Sequence, residues 1–258
     1  MLSKGKQNQY IRKRLNDLYS HFNLFIQTKN PEELHQMRLE VKRIKALLLF
    51  FEKCLQTHRL TDDFKSVRLI YKNAGEIRKI HINLLLVDKY KIADDVFING
   101  QNEILSKLNN KFMSKKNLYE EIILKIQKKL SKDFENIENN SVLKLYYKKL
   151  NSLIRLFSNE KYKNNLHNCR SKVKELLYIY NALNKSFGKK LSLNINYLDQ
   201  IQNAIGEWHD TTLIVELLKD KKYTNNQVIN YLEFKTGNLL TYINSLLFDF
   251  SKKIIPKE

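Results

Sequence analysis

The sequence predicts an all-α protein whose eight helices fall into two groups of four. Only two prolines and six glycines occur in 258 residues, whereas β-sandwiches and barrels require frequent Gly and Pro turns. Hydrophobic residues make up 43% of the chain and aromatic residues 11%, which is enough for a folded core. Apolar residues recur at steps of three and four along most of the chain, as they do in amphipathic helices.

The first group spans residues 1–136, and its first two helices have clear boundaries. One helix is predicted from about Gln7 to Gln27. A second begins at Asn30-Pro31, because Asn caps helix N-termini and Pro suits the first helical turn. Its core-facing stripe consists of Leu34, Met37, Val41, Ile44 and Leu48.

Two further helical segments complete the first group. A third helix is expected to open at Thr61-Asp62-Asp63 and to continue through the apolar-rich stretch that follows. Gly75 lies inside it as a site of close helix approach. A fourth helical region ends near Phe134, with Gly100 or Asn109-Asn110 as possible breaks.

An Asn-rich segment, FENIENNSVL, is poor in strong helix formers and is predicted to separate the two halves. The second group therefore spans residues 137–258. Its four helices are expected at Val142–Phe157, Tyr162–Phe187, Asn196–Lys219 and Asn226–Ile254.

Two sequence blocks occur once in each half. The motif L-H-x-x-R-x-x-V-K occurs twice, and its basic positions correspond without a gap, as His35, Arg38, Lys42 and then His167, Arg170, Lys174. A block that begins with G-E follows each copy at nearly the same offset, so that Arg78 in the first block corresponds to His209 in the second. Two matched blocks indicate an internal duplication.

The charge balance predicts an anionic partner. Lys and Arg number 46, Asp and Glu 27, and the net charge is +19. Such an excess attracts polyanions by long-range attraction and counterion release. Charge alone does not choose among nucleic acid, acidic lipid and polyphosphate.

The repeated motif places its basic residues on one helical stripe. Steps of three, four and three residues keep His35, Arg38, Lys42 and Lys45 on the same face. Arg binds phosphate oxygens through a fork, Lys supplies a mobile charge, and His gains donors when it protonates beside an anion. A solvated basic face is the simpler interpretation, but its recurrence at a fixed offset favours function.

No catalytic, metal or cofactor site is predicted. The positions at which a metal-binding helix would carry a second ligand hold Arg38 and Arg170, and cations oppose metal binding. No Gly-rich phosphate loop is visible either. Cys54 and Cys169 form no metal or disulfide framework, and no apolar stretch is long enough for a signal core or a membrane span. We therefore expect a cytoplasmic protein that does not contact a membrane.

The repeated H-x-x-R-x-x-x-K helix with its following G-E block resembles the conserved histidine α-helical domain, abbreviated CHAD, over nearly the whole chain. The resemblance implies two four-helix bundles related by a pseudo-two-fold axis around a basic central cavity that binds inorganic polyphosphate. It also implies binding without hydrolysis and an association with polyphosphate granules.

The two halves match this family unequally. The residues assigned to polyphosphate are His35, Arg38, Lys42, Arg43, Lys45 and Arg78 in the first half, and His167, Arg170, Lys174 and His209 in the second. Glu175 and Leu177 occupy the positions that correspond to Arg43 and Lys45. We therefore expect the first half to contribute more of the affinity.

Two other functions remain open at this level. A nucleic-acid-binding helical protein would suit the charge, although the sequence contains no familiar recognition module and its aromatic residues lie in apolar runs. A phosphotransfer or polyphosphate-processing enzyme would need a metal-binding acidic cluster, which the sequence does not display.

Overall fold

The computed structural model describes residues 1–57, 59–92, 94–130, 134–158, 162, 165–220 and 226–255. Regular structure in these ranges is helical, with one isolated bridge between Leu2 and Ile137. The all-α prediction is therefore confirmed. The chain packs as two units, Met1–Leu145 and Tyr146–Glu258, and the predicted division after residue 136 stays a prediction.

The first unit contains five long helices and one short helix within the described residues. They are α1 Lys4–Thr28, α2 Pro31–Leu55, α3 Arg59–Phe64, α4 Val67–Lys89, α5 Asp95–Met113 and α6 Lys116–Leu130. The predicted starts of α1 and α2 are close to those observed. Asn30 caps α2 by accepting a hydrogen bond from the backbone N–H of Glu32 at 2.9 Å.

The third predicted helix is interrupted near its start. Thr61-Asp62-Asp63 lies inside the short α3, and the long helix α4 begins only at Val67. The buried carboxylate of Glu52 accepts hydrogen bonds from the Thr61 backbone N–H at 2.6 Å and from the Thr61 hydroxyl at 2.8 Å. This contact joins α3 to the end of α2, which the local sequence does not reveal.

The predicted fourth region is two helices, so the expectation of four helices in the first half is wrong. Gly100 and Asn109-Asn110 both lie inside α5, and the break falls at Ser114-Lys115. Phe112 and Tyr119 flank that break and pack against each other with ring centroids 4.8 Å apart. Both rings are buried in the core. Residues 131–133, near the predicted end of this region, lie outside the described residues.

The second unit contains four long helices within the described residues. They are α7 Asn139–Phe157, which begins just before the unit boundary, α8 Leu166–Phe187, α9 Ile195–Asp220 and α10 Asn226–Leu247. A short 3-10 helix, Gly188–Lys190, follows α8. The start of α8 was predicted at Tyr162; residues 163 and 164 lie outside the described ranges, and Asn165 caps the observed helix.

The last predicted helix also breaks before its expected end. After α10 the backbone of Asp249 adopts a left-handed conformation with φ 54°, and the short α11 spans Phe250–Lys253. Phe250 packs against Phe157 with ring centroids 4.7 Å apart and against Tyr197 at 5.8 Å. The turn thus directs Phe250 into the core, which a continuous helix would not do.

Helix packing brings the two blocks of each repeat together. In the first unit α2 lies between α1 and α4, and in the second unit α9 lies between α8 and α10. The histidine–arginine motifs are on α2 and α8, and the G-E blocks are on α4 and α9. Each motif therefore faces its own G-E block. No described helix has the length and apolar character to cross a membrane.

Candidate anion-binding site

The predicted residues of the first unit lie on α2 and α4 and differ in exposure. Lys42 and Lys45 are exposed, whereas the others are partly buried, namely His35, Arg38, Arg43 and Arg78. In the second unit His167 is exposed, and Arg170, Lys174 and His209 are partly buried. Lys42 and Lys45 are therefore the exposed lysines of the predicted site, and His167 is its exposed histidine.

Arg38 reaches from α2 to the backbone of α4. Its Nη1 donates a hydrogen bond to the carbonyl oxygen of Tyr71, and its guanidinium carbon lies 4.0 Å from the centroid of the Tyr71 ring. A Cβ atom at Gly75 would lie 2.6 Å from Nη1. The predicted close approach at Gly75 is therefore confirmed, and its partner is the motif arginine.

Arg170 makes the corresponding contact in the second unit. Its Nε donates a hydrogen bond to the carbonyl oxygen of Gln202 in α9 at 3.0 Å. A Cβ atom at Gly206 would lie 2.8 Å from Nη2 of Arg170. The two units thus place equivalent arginines over equivalent glycines.

Arg78 and His81 bring further positive charge to the surroundings of Arg38. The pKa of Arg38 is lowered, first by burial and also by Arg78, against opposing effects of Tyr71 and Glu76. Burial and the charge of Arg78 likewise lower the pKa of His81. His81 was not among the predicted site residues, although its position three residues after Arg78 places it on the same helical face.

The second unit brings His167 and His209 into direct contact. Their ring centroids are 5.0 Å apart. The pKa of His209 is lowered by burial, then by His167 and more weakly by Arg170, while Asp210 and Glu216 oppose the shift. His167, Arg170 and His209 therefore form one cationic cluster when the histidines are protonated.

The charge of Arg43 is paired with a buried carboxylate of its own helix. The carboxylate of Glu40, buried at 2% exposure, binds Arg43 and also accepts from Nη1 of Arg14 at 3.1 Å. At the corresponding place in the second unit, Glu175 pairs with Lys149 at 2.5 Å, and Leu177 is buried. Fewer cations are thus presented on α8 than on α2.

Comparison with known proteins identifies the family to which this chain belongs. A sequence model of the CHAD domain matches residues 9–219. The chain therefore belongs to the CHAD domain family, as the resemblance of its repeated motif predicted. No curated protein gives a significant match.

A solved structure supports the fold. The crystal structure of the CHAD domain from the plant Ricinus communis superposes with a TM-score of 0.66 at 15% sequence identity, over 96% of this chain and 92% of that one. At this identity the likeness concerns the fold alone, and it confirms the all-α assignment. The pseudo-two-fold axis and the central basic cavity stay predictions.

Proposed function

We propose that the chain binds inorganic polyphosphate through two basic faces, one formed by α2 and α4 and the other by α8 and α9. The observation that carries the proposal is the gathering of like charges in both units: Arg38, Arg78 and His81 in one, His167, Arg170 and His209 in the other. Like charges held together disfavour their charged forms, and a bound polyanion removes that cost. Membership in the CHAD family supports the same ligand class.

The distribution of aromatic side chains favours polyphosphate over single-stranded nucleic acid. Binding of single strands usually combines a basic groove with exposed rings on which bases stack. The most exposed rings of the described chain are those of Tyr231, Phe234 and Phe248, on α10 and in the turn after it. The ring of Tyr71, beside the first cluster, is covered by Arg38.

The biological role that we propose is binding without hydrolysis, in the cytoplasm and at polyphosphate granules. Polyphosphate has a negative charge on every repeating unit and offers no bases to read. A surface of lysines, arginines and histidines suits such a polymer.

Binding of purified protein to labelled long-chain polyphosphate at physiological salt tests the proposal. The double variant Lys42→Gln/Lys45→Gln removes the two exposed cations of α2, and Lys107→Gln/Lys111→Gln removes two exposed cations of α5 as a matched control. Because each lost charged hydrogen bond is worth more than 1 kcal/mol, we expect the first variant to bind at least about tenfold more weakly. The control should bind much as the unmodified protein does.

The competing functions give different results in the same assay. Equal loss in both double variants would mean that general charge, and no specific face, holds the polymer. Stronger binding of single-stranded DNA or RNA than of polyphosphate would favour the nucleic-acid function. Release of phosphate that depends on a divalent metal would indicate an enzyme.

A further inference from the structure

The guanidinium groups of Arg38 and Arg170 are directed at a neighbouring helix. Arg38 donates to the carbonyl oxygen of Tyr71 and Arg170 to that of Gln202. Each acceptor lies four residues before the glycine of its G-E block, which places carbonyl and glycine on one face, about one turn apart. Each arginine therefore spans one turn of the next helix.

We propose that Arg38 and Arg170 are positioning residues that hold the two helices of each basic face in register, and that the surrounding lysines and histidines contact the phosphates. The part about phosphates rests on the proposed function, whereas the helix contact stands without it. In the second unit, His167 lies one turn before Arg170, and His209 lies one turn after Gly206. Fixing Arg170 over Gly206 thus brings the two histidine rings to 5.0 Å.

The two glycines leave the space that the guanidinium groups occupy. Glycine in a helix interior is unfavourable relative to alanine, so its presence at equivalent places in α4 and α9 needs a packing reason. A Cβ at Gly75 or Gly206 would lie 2.6 Å or 2.8 Å from a guanidinium nitrogen. With any other residue at either position, the arginine could not keep its place over the backbone.

The surroundings of Arg38 leave it less available to a polymer than Lys42. The Tyr71 ring covers the guanidinium at 4.0 Å, one edge faces the α4 backbone, and burial is the largest cause of its lowered pKa. Lys42 lies four residues further along the same helix and is exposed. An exposed ammonium can follow a flexible chain of phosphates, whereas a guanidinium fixed over backbone cannot.

Glycine-to-alanine variants test the contact in the free protein. Gly75→Ala and Gly206→Ala should lower the melting temperature by about 2–4 °C or more, because the arginine must move. Gly100→Ala and Gly237→Ala are matched controls, since a Cβ at either position meets nothing within 4 Å. Alanine has a better helix propensity than glycine, so these two variants should keep or raise the melting temperature. In an Arg38→Ala background, Gly75→Ala should no longer lower the melting temperature, because the guanidinium group that the new Cβ would meet is absent.

Either of two results would contradict the proposed positioning role. One is equal behaviour of Gly75→Ala and Gly100→Ala in both backgrounds, and the other is equal behaviour of Gly206→Ala and Gly237→Ala. The second comparison also decides the matter if Gly75→Ala fails to fold.

Titration of the histidines separates positioning from plain stabilisation. Followed by NMR, the pKa of His209 should rise towards its ordinary value in Gly206→Ala, because separation of α8 and α9 exposes the ring and moves His167 away. Gly237→Ala should leave it unchanged. A lower stability alone does not alter a pKa in the folded state, so an unshifted His209 in Gly206→Ala would refute the role in register.

Polyphosphate affinity connects the contact with the proposed function. Gly75→Ala retains every charge, yet it should weaken binding several-fold, as Arg38→Gln does, if correct register is what matters. Wild-type affinity in Gly75→Ala together with a loss in Arg38→Gln would make Arg38 a phosphate ligand and overturn the proposal. If the unmodified protein does not bind polyphosphate, the proposed function fails, while melting and titration still decide the positioning role.

Discussion

His209 stands in the second unit where the first unit has Arg78. An arginine stays charged at any physiological pH, whereas a histidine changes charge in that range. In the free protein the pKa of His209 is below its ordinary value because burial and His167 oppose protonation. A bound polyanion would favour the protonated ring, so binding at this unit should be coupled to proton uptake.

At the residue scale we therefore predict that polyphosphate binds more tightly at pH 6 than at pH 7.5, by several-fold. The sign follows from the lowered pKa of His209: burial and His167 disfavour the protonated ring in the free protein, and a bound anion raises its pKa, so protons assist binding. Isothermal titration calorimetry in buffers of different ionisation enthalpy measures the proton uptake. His209→Gln should reduce both the uptake and the pH dependence; a variant with unchanged pH dependence would exclude His209.

At the scale of helices, a buried carboxylate links α1 to α2 behind the basic face. Glu40 is 2% exposed and pairs with Arg14 from α1 and Arg43 from its own helix. A buried carboxylate needs such partners, because burial of an unpaired charge is costly. The same pair takes part of the charge of Arg43 away from the proposed ligand surface.

Removal of this carboxylate should destabilise the first unit. Glu40→Gln removes the buried carboxylate that Arg14 and Arg43 share and should lower the free energy of unfolding by about 2 kcal/mol. The effect should be smaller than for a fully buried pair, because Arg14 also pairs with Asp17 at 3.5 Å and the Arg14 and Arg43 side chains are 17% and 31% exposed. Urea denaturation followed by circular dichroism measures the effect. Asp62→Asn, which breaks an exposed pair with Lys65, is the control and should leave stability nearly unchanged, because solvent screens such a pair. Equal effects would show that Glu40 is not a structural link.

The helix boundaries divide into those that sequence predicts and those that it misses. Local signals suffice at Asn30, which caps α2 through its own side chain. They fail at Val67 and at Ser114, where contacts from other parts of the chain lie close to the break: Glu52 of α2 holds Thr61 of α3, and Phe112 packs on Tyr119. Gly100 is a possible helix break by sequence, yet it lies inside α5. A single glycine lowers helix propensity without ending a helix.

For the whole molecule, two features bear on the affinity for a long polyanion: the net charge of +19 and the presence of a basic cluster in each of the two units. A long polymer that engages both clusters gains affinity, because the second contact becomes intramolecular. The first unit, which presents Lys42 and Lys45, should supply the larger share.

We accordingly predict that affinity per phosphate increases from tripolyphosphate to long-chain polyphosphate, by roughly 10²-fold or more when both units are engaged. Raising the salt concentration should weaken long-chain binding steeply, with one contact's share of the slope lost for each cation removed. A series of defined chain lengths, measured by fluorescence anisotropy, tests this. An affinity per phosphate that is independent of length would mean that each polymer is held by a single cluster.

Sequence alone determined the all-α class, the repeated histidine–arginine motif and the family, because helical periodicity, capping and motif spacing are written in residues close together along the chain. It also placed Lys42 and Lys45 correctly on the exposed face. Only the tertiary structure decided that Arg38 lies over Gly75, that Arg43 is paired with Glu40 and that His167 touches His209. Those roles depend on which side chains from other turns and helices reach each cation, and that depends on packing.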